Sequence, residues 1–347
     1  MDFRNQDPKS LAGLARGARA AIVVPSLIAL TLLVIKQPQM AGFAIYGSFA
    51  HLVIVNYSQS RATRSAQAAT LTLFGALLVC LGTFASVIPW TAVAGAMVIG
   101  FLSAWPTLVK DNVAVVRTAL LLLFLLAVAV PTPLHFVIPQ LLGWLLAGLV
   151  AQPLLQLLWI PILPAPNGGE AMSASSNPVA TSRWLGNAAS TGLAMGLAVL
   201  IAHVLRLNHA FWVVLGVLPV LSAGATSPTR AFWHEQAGTV LGFVVGALLV
   251  VMLDAQSELY WIALPCVIFI AAFASTAIGF VAGQAAFTVF VVILFCILSP
   301  SERQVGFKRV EDVAIGGLLC LFIASLQRLA QRMSAAAAGG QGSQGNP

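Results

Sequence analysis

Residues 230–250 read RAFWHEQAGTVLGFVVGALLV, and residues 61–79 read RATRSAQAATLTLFGALLV. At an offset of 169 residues the two stretches share the pattern R-A-x4-Q-A-x-T, and a two-residue insertion then aligns GALLV with GALLV. Because the shared pattern lies inside matching apolar runs, we interpret it as an internal duplication. Each copy begins with an arginine and continues into a run long enough to cross a bilayer as one helix.

The composition indicates that lipid is the solvent for much of the surface. Of 347 residues, 59% are apolar and 8% are charged, against about 45–50% and 25% in soluble domains. So few charges exclude an ordinary soluble protein and a disordered chain. The net charge of +7 does not indicate a nucleic-acid partner, because the basic residues are scattered singly between apolar runs. The partner that the composition predicts is the lipid bilayer.

Apolar runs divide the chain into two halves. Six runs precede the segment PILPAPNGGEAMSASSNP, which begins at Pro161, and six follow it. We therefore predict an all-α membrane protein of about twelve transmembrane helices, built from two six-helix repeats. Six spans, an even number, separate equivalent positions, so the repeats are predicted to run parallel through the membrane with a path between them.

The predicted organisation has five parts. They are an amphipathic cytoplasmic N-terminus (1–17), a first six-helix repeat (18–160), a flexible linker (161–183), a second six-helix repeat (184–330) and a disordered C-terminal tail (331–347). On an alternating topology most basic residues fall on the side of the two termini, which places both termini in the cytoplasm. The loop 299–309 is the weakest part of this topology, because its sequence, SPSERQVGFKR, puts basic residues on the opposite side.

The sequence predicts no cofactor, no metal and no enzymatic activity. The four cysteines lie inside apolar runs at spacings that match no metal motif: Cys80, Cys266, Cys296 and Cys320. The HExxH, GxSxG and Walker A signatures are absent from the sequence, and no dinucleotide-binding fingerprint occurs between an apolar strand and a helix. Without a phosphate-binding loop, uphill transport would draw on an ion gradient or on a partner.

The paired arginines Arg61 and Arg230 are candidates for anion binding. Both precede the third span of their half, where a guanidinium can hold a carboxylate through two hydrogen bonds. The alternative is that they set the membrane topology and contact lipid phosphate. His51, within the second span, is either a proton relay or a core residue with satisfied hydrogen bonds. Gln284, in the motif GQAAF, either binds a ligand or satisfies backbone groups.

Two carboxylates, Glu311 and Asp312, enter the last span directly after Lys308 and Arg309. Ionisable residues at membrane depth are functional candidates by default, so this pair is a candidate for proton coupling. The alternative is structural, because the helix dipole and neighbouring bases stabilise carboxylates on the first turn of a helix.

Three stretches carry a resemblance to a known family. They are the segment from GFAIYGSFAH through GALLVCLGT (42–83), the segment from HAFWVVLGVLPVL through GALLV (209–250), and GQAAFTVFVVILFCILSP (283–300) followed by RVEDVAIGG (309–317). In these stretches the chain resembles the fusaric acid resistance (FUSC-like) family of aromatic acid exporters. The second and third stretches are the more specific part of the resemblance.

The resemblance implies a bacterial inner-membrane exporter of small aromatic or hydrophobic carboxylic acids, driven by the proton gradient. It further implies a periplasmic adaptor and an outer-membrane channel as partners, since some relatives work with both. The linker is shorter here than the cytoplasmic region of longer members. By matching position, the recurring polar residues of the family are Arg230, Gln236, Thr239, Gln284, Arg309, Glu311 and Asp312.

The resulting hypothesis is a proton-coupled exporter of an anionic substrate. The predicted substrate or anion-binding residues are Arg61, Arg230, Gln236, Thr239 and Gln284, and the predicted proton-coupling residues are Glu311, Asp312 and His51. The alternatives are a passive anion channel and a non-transporting membrane scaffold. The sequence leaves the oligomeric state open, with a homo-oligomer among the partners considered.

Overall fold

A computed structural model shows an all-helical chain over the part that it describes. The described residues are 8–58, 60–104, 111–129, 132–157, 178–207, 210–221, 227–253, 257–299 and 305–342. Within them lie twelve α-helices in chain order: α1 Pro8–Ala29, α2 Pro38–Phe49, α3 Arg61–Ser86, α4 Pro89–Ser103, α5 Asp111–Ala129, α6 Val137–Leu157, α7 Pro178–Val204, α8 Ala210–Leu221, α9 Pro228–Met252, α10 Ser257–Ala277, α11 Phe280–Leu298 and α12 Val305–Gly342. Two π-helical turns, Leu30–Val34 and Ala50–Ile54, extend α1 and α2, and a 3₁₀ turn, Leu134–Phe136, precedes α6.

Nine of the helices in the described ranges are long and apolar enough to cross a membrane. The predicted number of about twelve helices agrees with the structure, and among the other three helices α2 and α4 are shorter than a span. The described part of α8 borders residues outside the described ranges at both ends. Each of the three contains a proline. Proline begins α2 and α4 at Pro38 and Pro89, and Pro219 lies inside α8. The chain is a multi-span membrane protein.

Two helix boundaries differ from the predicted organisation. The α7 helix begins at Pro178, inside the stretch predicted as a linker, where proline suits the first turn of a helix. The α12 helix continues to Gly342, inside the stretch predicted as a disordered tail. That stretch contains the sequence SAAAA, and alanine is the strongest helix former. Residues 161–177 of the predicted linker lie outside the described residues.

Helix packing follows the same scheme in both halves. In the first half α3 packs on α5 and α6, and α2 packs on α6; in the second half α9 packs on α11 and α12, and α8 packs on α12. Two further pairs cross between the halves, since α1 packs on α10 and α4 packs on α7. Two helix pairs therefore connect the first half to the second.

The first helix of each half ends in the same backbone conformation. Lys36, after α1 and its π-helical turn, has φ 59°, and Arg206, after α7, has φ 52°. In each case the backbone N–H of the next residue donates a hydrogen bond to a carbonyl oxygen of the preceding helix. Gln37 donates to Thr31 and Leu207 donates to Ala202, both at 2.9 Å. This is the left-handed helix cap, which glycine normally forms.

Aromatic side chains join the halves at their centre. The ring of Tyr46 on α2 meets Phe211 on α8 edge to face, with centroids 6.2 Å apart. Phe49 on α2 contacts Phe287 and Phe290 on α11, with centroid distances of 5.8 Å and 4.9 Å. The helices α2 and α8 thus lie where the two halves meet.

Candidate binding site in the second half

Glycines bring α9 and α11 into close contact at membrane depth. A Cβ at Gly242 would collide with the Ala285 carbonyl oxygen, and one at Gly238 would lie 2.7 Å from Cβ of Gln284. At 1.5 Å per residue, Gly242 is about 21 Å along a helix of about 37 Å. The α9–α11 contact therefore lies near the middle of the span, where an ionisable side chain is costly.

A guanidinium is buried at this depth. Arg309 on α12 is 1% exposed and donates from Nε to the Thr288 hydroxyl at 3.2 Å. Its charged carbon lies 5.0 Å from the ring centroid of Phe287 and 5.8 Å from that of Trp212, within the range of cation–π attraction. Its Nη1 atom is buried and has no hydrogen-bond partner. Arg309 is thus held by a hydroxyl and two aromatic faces, with one strong donor left for an acceptor.

A carboxylate is buried near this arginine without touching it. Glu235 on α9 is 1% exposed, and its Oε2 atom has no hydrogen-bond partner. Glu235 and Arg309 interact electrostatically, but no hydrogen bond or ion pair joins them. Both charged groups are therefore buried away from water without forming a direct salt bridge. Burial of charges without such a contact is energetically costly.

The neutral polar residues predicted for the site lie on α9 and α11 beside these charges. Gln236, next to Glu235, is buried, and its Nε2 atom has no hydrogen-bond partner. Thr239 is fully buried and donates to the Glu235 carbonyl oxygen at 2.9 Å. Gln284 is half-buried and packs against Gly238. Gln236 is the member of this group with an unused buried donor.

The paired arginines are not part of the buried cluster. Arg61 is the first residue of α3, Arg230 lies in the first turn of α9, and both side chains are exposed. The backbone N–H of Arg230 is capped by the Ser227 hydroxyl at 3.2 Å. Both arginines thus lie at helix starts.

The predicted coupling carboxylates differ in exposure. Glu311 is exposed, whereas Asp312 is 4% exposed and lies about one helical turn after Arg309. Asp312 interacts electrostatically with Glu311 and Lys308. Of the two carboxylates, only Asp312 is buried, three residues after Arg309 on α12.

His51 is fully buried in the first half and has a partner at each ring nitrogen. Its Nδ1 lies 2.8 Å from the Gly47 carbonyl oxygen, and its Nε2 lies 3.0 Å from Oγ1 of Thr72. A carbonyl only accepts, so Nδ1 donates to Gly47. The Thr72 hydroxyl lies 2.9 Å from the Ala68 carbonyl oxygen as well as 3.0 Å from Nε2, so its single proton is shared between these two acceptors when the ring is neutral. The ring also lies against Trp144, with centroids 5.3 Å apart.

The interior of the first half is filled and hydrogen-bonded where the second half carries charge. Trp144 is fully buried against Gly75 and donates to the Thr72 carbonyl oxygen at 2.9 Å. After the two-residue insertion, the sixth span of the first half carries Gln140 near the position where the second half carries Glu311 and Asp312. Gln140 accepts from the Thr83 hydroxyl at 2.6 Å and donates to the Thr132 hydroxyl at 3.1 Å. The two halves are therefore chemically unequal at this position.

The comparison with protein families points to the same half. Residues 197–323, about a third of the chain, match the family model described as fusaric acid resistance protein-like. This region is a fusaric acid resistance protein-like domain. The FUSC-like domain runs from within α7 to within α12, and so it contains Glu235, Gln236 and Arg309. The predicted family resemblance is thereby confirmed for these residues. The chain matches no curated protein and no solved structure.

The FUSC-like domain carries buried donor groups of the kind that bind carboxylates. Among the side chains that the structure describes, no three His, Cys, Asp or Glu residues converge as a metal site would require. Two buried donors of this domain without a hydrogen-bond partner are Nη1 of Arg309 and Nε2 of Gln236, a guanidinium and an amide nitrogen, and both groups bind carboxylate oxygens.

Glu235 and Arg309 received too little weight in the prediction from sequence. It included Arg309 only among the polar residues that the resemblance implied, and it left Glu235 out of the predicted site. The available signal was membrane depth: Glu235 lies two turns into an apolar span. The aromatic partners Trp212 and Phe287 belong to apolar runs, so their spacing alone does not show that they face Arg309.

Proposed function

We propose that this chain is a proton-coupled exporter of small aromatic or hydrophobic carboxylic acids. It would work in the bacterial inner membrane with both termini in the cytoplasm. The observation that carries the proposal is the buried Arg309 in the FUSC-like domain, which lies between aromatic rings and has a donor without a partner.

The surroundings of Arg309 favour a substrate that is both acidic and aromatic or otherwise apolar. A carboxylate would accept from Nη1, and the low local dielectric would strengthen that charge-assisted hydrogen bond. The faces of Trp212 and Phe287 would contact the apolar body of the substrate. The amide nitrogen of Gln236 is a second candidate donor in the same domain.

A pair of parallel repeats is the architecture that we propose for this transporter. The matching helix packing in the two halves supports it, as do the left-handed caps at Lys36 and Arg206. Parallel repeats can rock against each other around a site between them. Here α1 and α4 of the first half pack on α10 and α7 of the second half. Phe49 and Phe287 connect the first half to the surroundings of Arg309.

Proton coupling is assigned to Asp312. A buried carboxylate on the helix that carries the substrate guanidinium, three residues after it, can exchange a proton as the site changes its access to water. Glu311 is exposed and His51 already has two partners, so we give neither residue this role. The exposed Arg61 and Arg230 would attract the anionic substrate at the cytoplasmic end of the path.

The proposal involves no enzymatic step and no cofactor. A periplasmic adaptor with an outer-membrane channel, and a second copy of the chain, are partners that the exporter could use. A passive anion channel is the second candidate function. The buried Arg309 supports a channel equally well, but a channel has no use for a buried carboxylate such as Asp312.

A binding experiment tests carboxylate recognition directly. Purified protein in detergent is titrated with a panel of aromatic carboxylates and with the corresponding primary amides, and tryptophan fluorescence reports binding near Trp212. We expect at least one carboxylate to bind and its uncharged amide to bind more weakly by tenfold or more. Binding of the carboxylate should disappear in Arg309→Gln. Equal binding of acid and amide, or no binding across the panel, would contradict the proposal.

A further inference from the structure

Glu235 has no role in the transport reaction proposed above, although its carboxylate is the charge that interacts with Arg309. The residue lies on α9, which packs on α8, α11 and α12. No Asp, Glu, Lys, Arg or His occurs in residues 210–221 of α8 or 280–298 of α11. On α12 the candidates for electrostatic interaction are Lys308, Arg309, Glu311 and Asp312, and on α9 they are Arg230 and His234. Of these, Arg309 is the one whose charge acts on Glu235.

The separation of the two charges is the informative feature. A guanidinium and a carboxylate in direct contact would satisfy each other, and a third group would have to break that contact to bind. Here Nη1 of Arg309 and Oε2 of Glu235 are both buried without hydrogen-bond partners. An incoming carboxylate can therefore accept from Nη1 without first breaking a hydrogen bond, yet it enters the field of a resident negative charge.

We propose that Glu235 is an internal competitor of the substrate carboxylate at Arg309. Its negative charge offsets the positive field of the guanidinium and repels the incoming anion, which keeps the affinity low enough for the substrate to leave on the other side. This inference rests on the proposed function, because it presupposes that Arg309 binds a carboxylate. It defines the site as one that takes a single negative charge and disfavours dianions.

The test compares carboxylate affinity in Glu235→Gln and in the parent. The substitution keeps the shape of the side chain and removes its charge. We expect the dissociation constant for the aromatic carboxylate to fall about tenfold, which corresponds to about 1.4 kcal/mol. The affinity for the matching amide should stay within twofold, since an uncharged ligand is not repelled. Glu311→Gln, which removes an exposed carboxylate two residues from Arg309, is the matched control and should leave both affinities unchanged.

A second measurement does not depend on any ligand. Thermal unfolding of Glu235→Gln, Arg309→Gln and the double variant forms a double-mutant cycle. We expect the double variant to be more stable than the sum of the two single effects predicts, because each single variant leaves one buried charge alone. Additive effects, or an unchanged carboxylate affinity in Glu235→Gln, would overturn the inference. If the parent binds no carboxylate, the proposed function fails, whereas the cycle still reports whether the two charges are coupled.

Discussion

Thr288 on α11 accepts a hydrogen bond from Nε of Arg309 on α12 at 3.2 Å, and its own hydroxyl donates to the Gln284 carbonyl oxygen at 2.9 Å. The hydroxyl proton is thereby directed back along α11, which leaves a lone pair of Oγ1 for the guanidinium. The contact fixes the plane of Arg309 against the rings of Phe287 and Trp212.

Replacing Thr288 by valine should weaken this part of the domain. Thr288→Val keeps the branched shape but leaves Nε of Arg309 buried without an acceptor, which costs about 1–3 kcal/mol. Thermal unfolding in detergent measures the effect, and Thr288→Ser, which keeps the hydroxyl, is the control. A valine variant as stable as the serine variant would show that the hydrogen bond does not hold Arg309.

The close contact of α9 and α11 predicts that an added methyl group at Gly242 is destabilising. In Gly242→Ala the new Cβ meets the Ala285 carbonyl oxygen, and separating two packed helices costs about 1–3 kcal/mol. Gly186, on the exposed part of α7, has no atom within 4 Å of the equivalent Cβ position. Gly186→Ala should therefore stabilise the protein by about 0.5–1 kcal/mol. Opposite shifts in melting temperature are the expected result, and a stable Gly242→Ala would contradict the packing.

The filled interior of the first half predicts a structural role for Trp144. Trp144→Phe removes the hydrogen bond to the Thr72 carbonyl oxygen and part of a buried ring, so the melting temperature should fall. Carboxylate affinity, measured by fluorescence titration on the same sample, should stay within twofold of the parent. A large loss of affinity with little change in stability would place the binding site in the first half instead.

Asp312 should carry the dependence of transport on the proton gradient. In everted vesicles, Asp312→Asn is expected to take up substrate at the same rate with and without a gradient, because its side chain no longer exchanges a proton. Glu311→Gln, with the exposed neighbour changed, and His51→Gln should keep the gradient dependence of the parent. If Glu311→Gln or His51→Gln were the variant that lost it, the coupling residue would be wrongly assigned.

The sequence predicted the helical class well because hydropathy and length act locally. Apolar runs with few charges specify membrane helices whatever their neighbours are, so the number of helices could be read from the residues. The extension of α12 past residue 330 follows from the high helix propensity of alanine. The low complexity of the same residues had led to the prediction of a disordered tail.

The candidate site was predicted only in part because burial is a tertiary property. The repeated Arg61 and Arg230 stand out in the sequence, yet both are exposed. Arg309 stands beside Lys308 in the sequence, and the packing of α12 with α8, α9 and α11 buries it. A charge inside an apolar span, as at Glu235, is the feature that sequence reasoning could have weighted more heavily.

The central claim, that Arg309 binds the carboxylate of an exported acid, is tested most directly by transport. Uptake of a panel of aromatic carboxylates is measured in everted vesicles that contain equal amounts of inserted parent or Arg309→Gln, with and without an imposed proton gradient. The account predicts gradient-dependent accumulation of at least one acid by the parent and none above background by Arg309→Gln. Equal accumulation by the two proteins would contradict it.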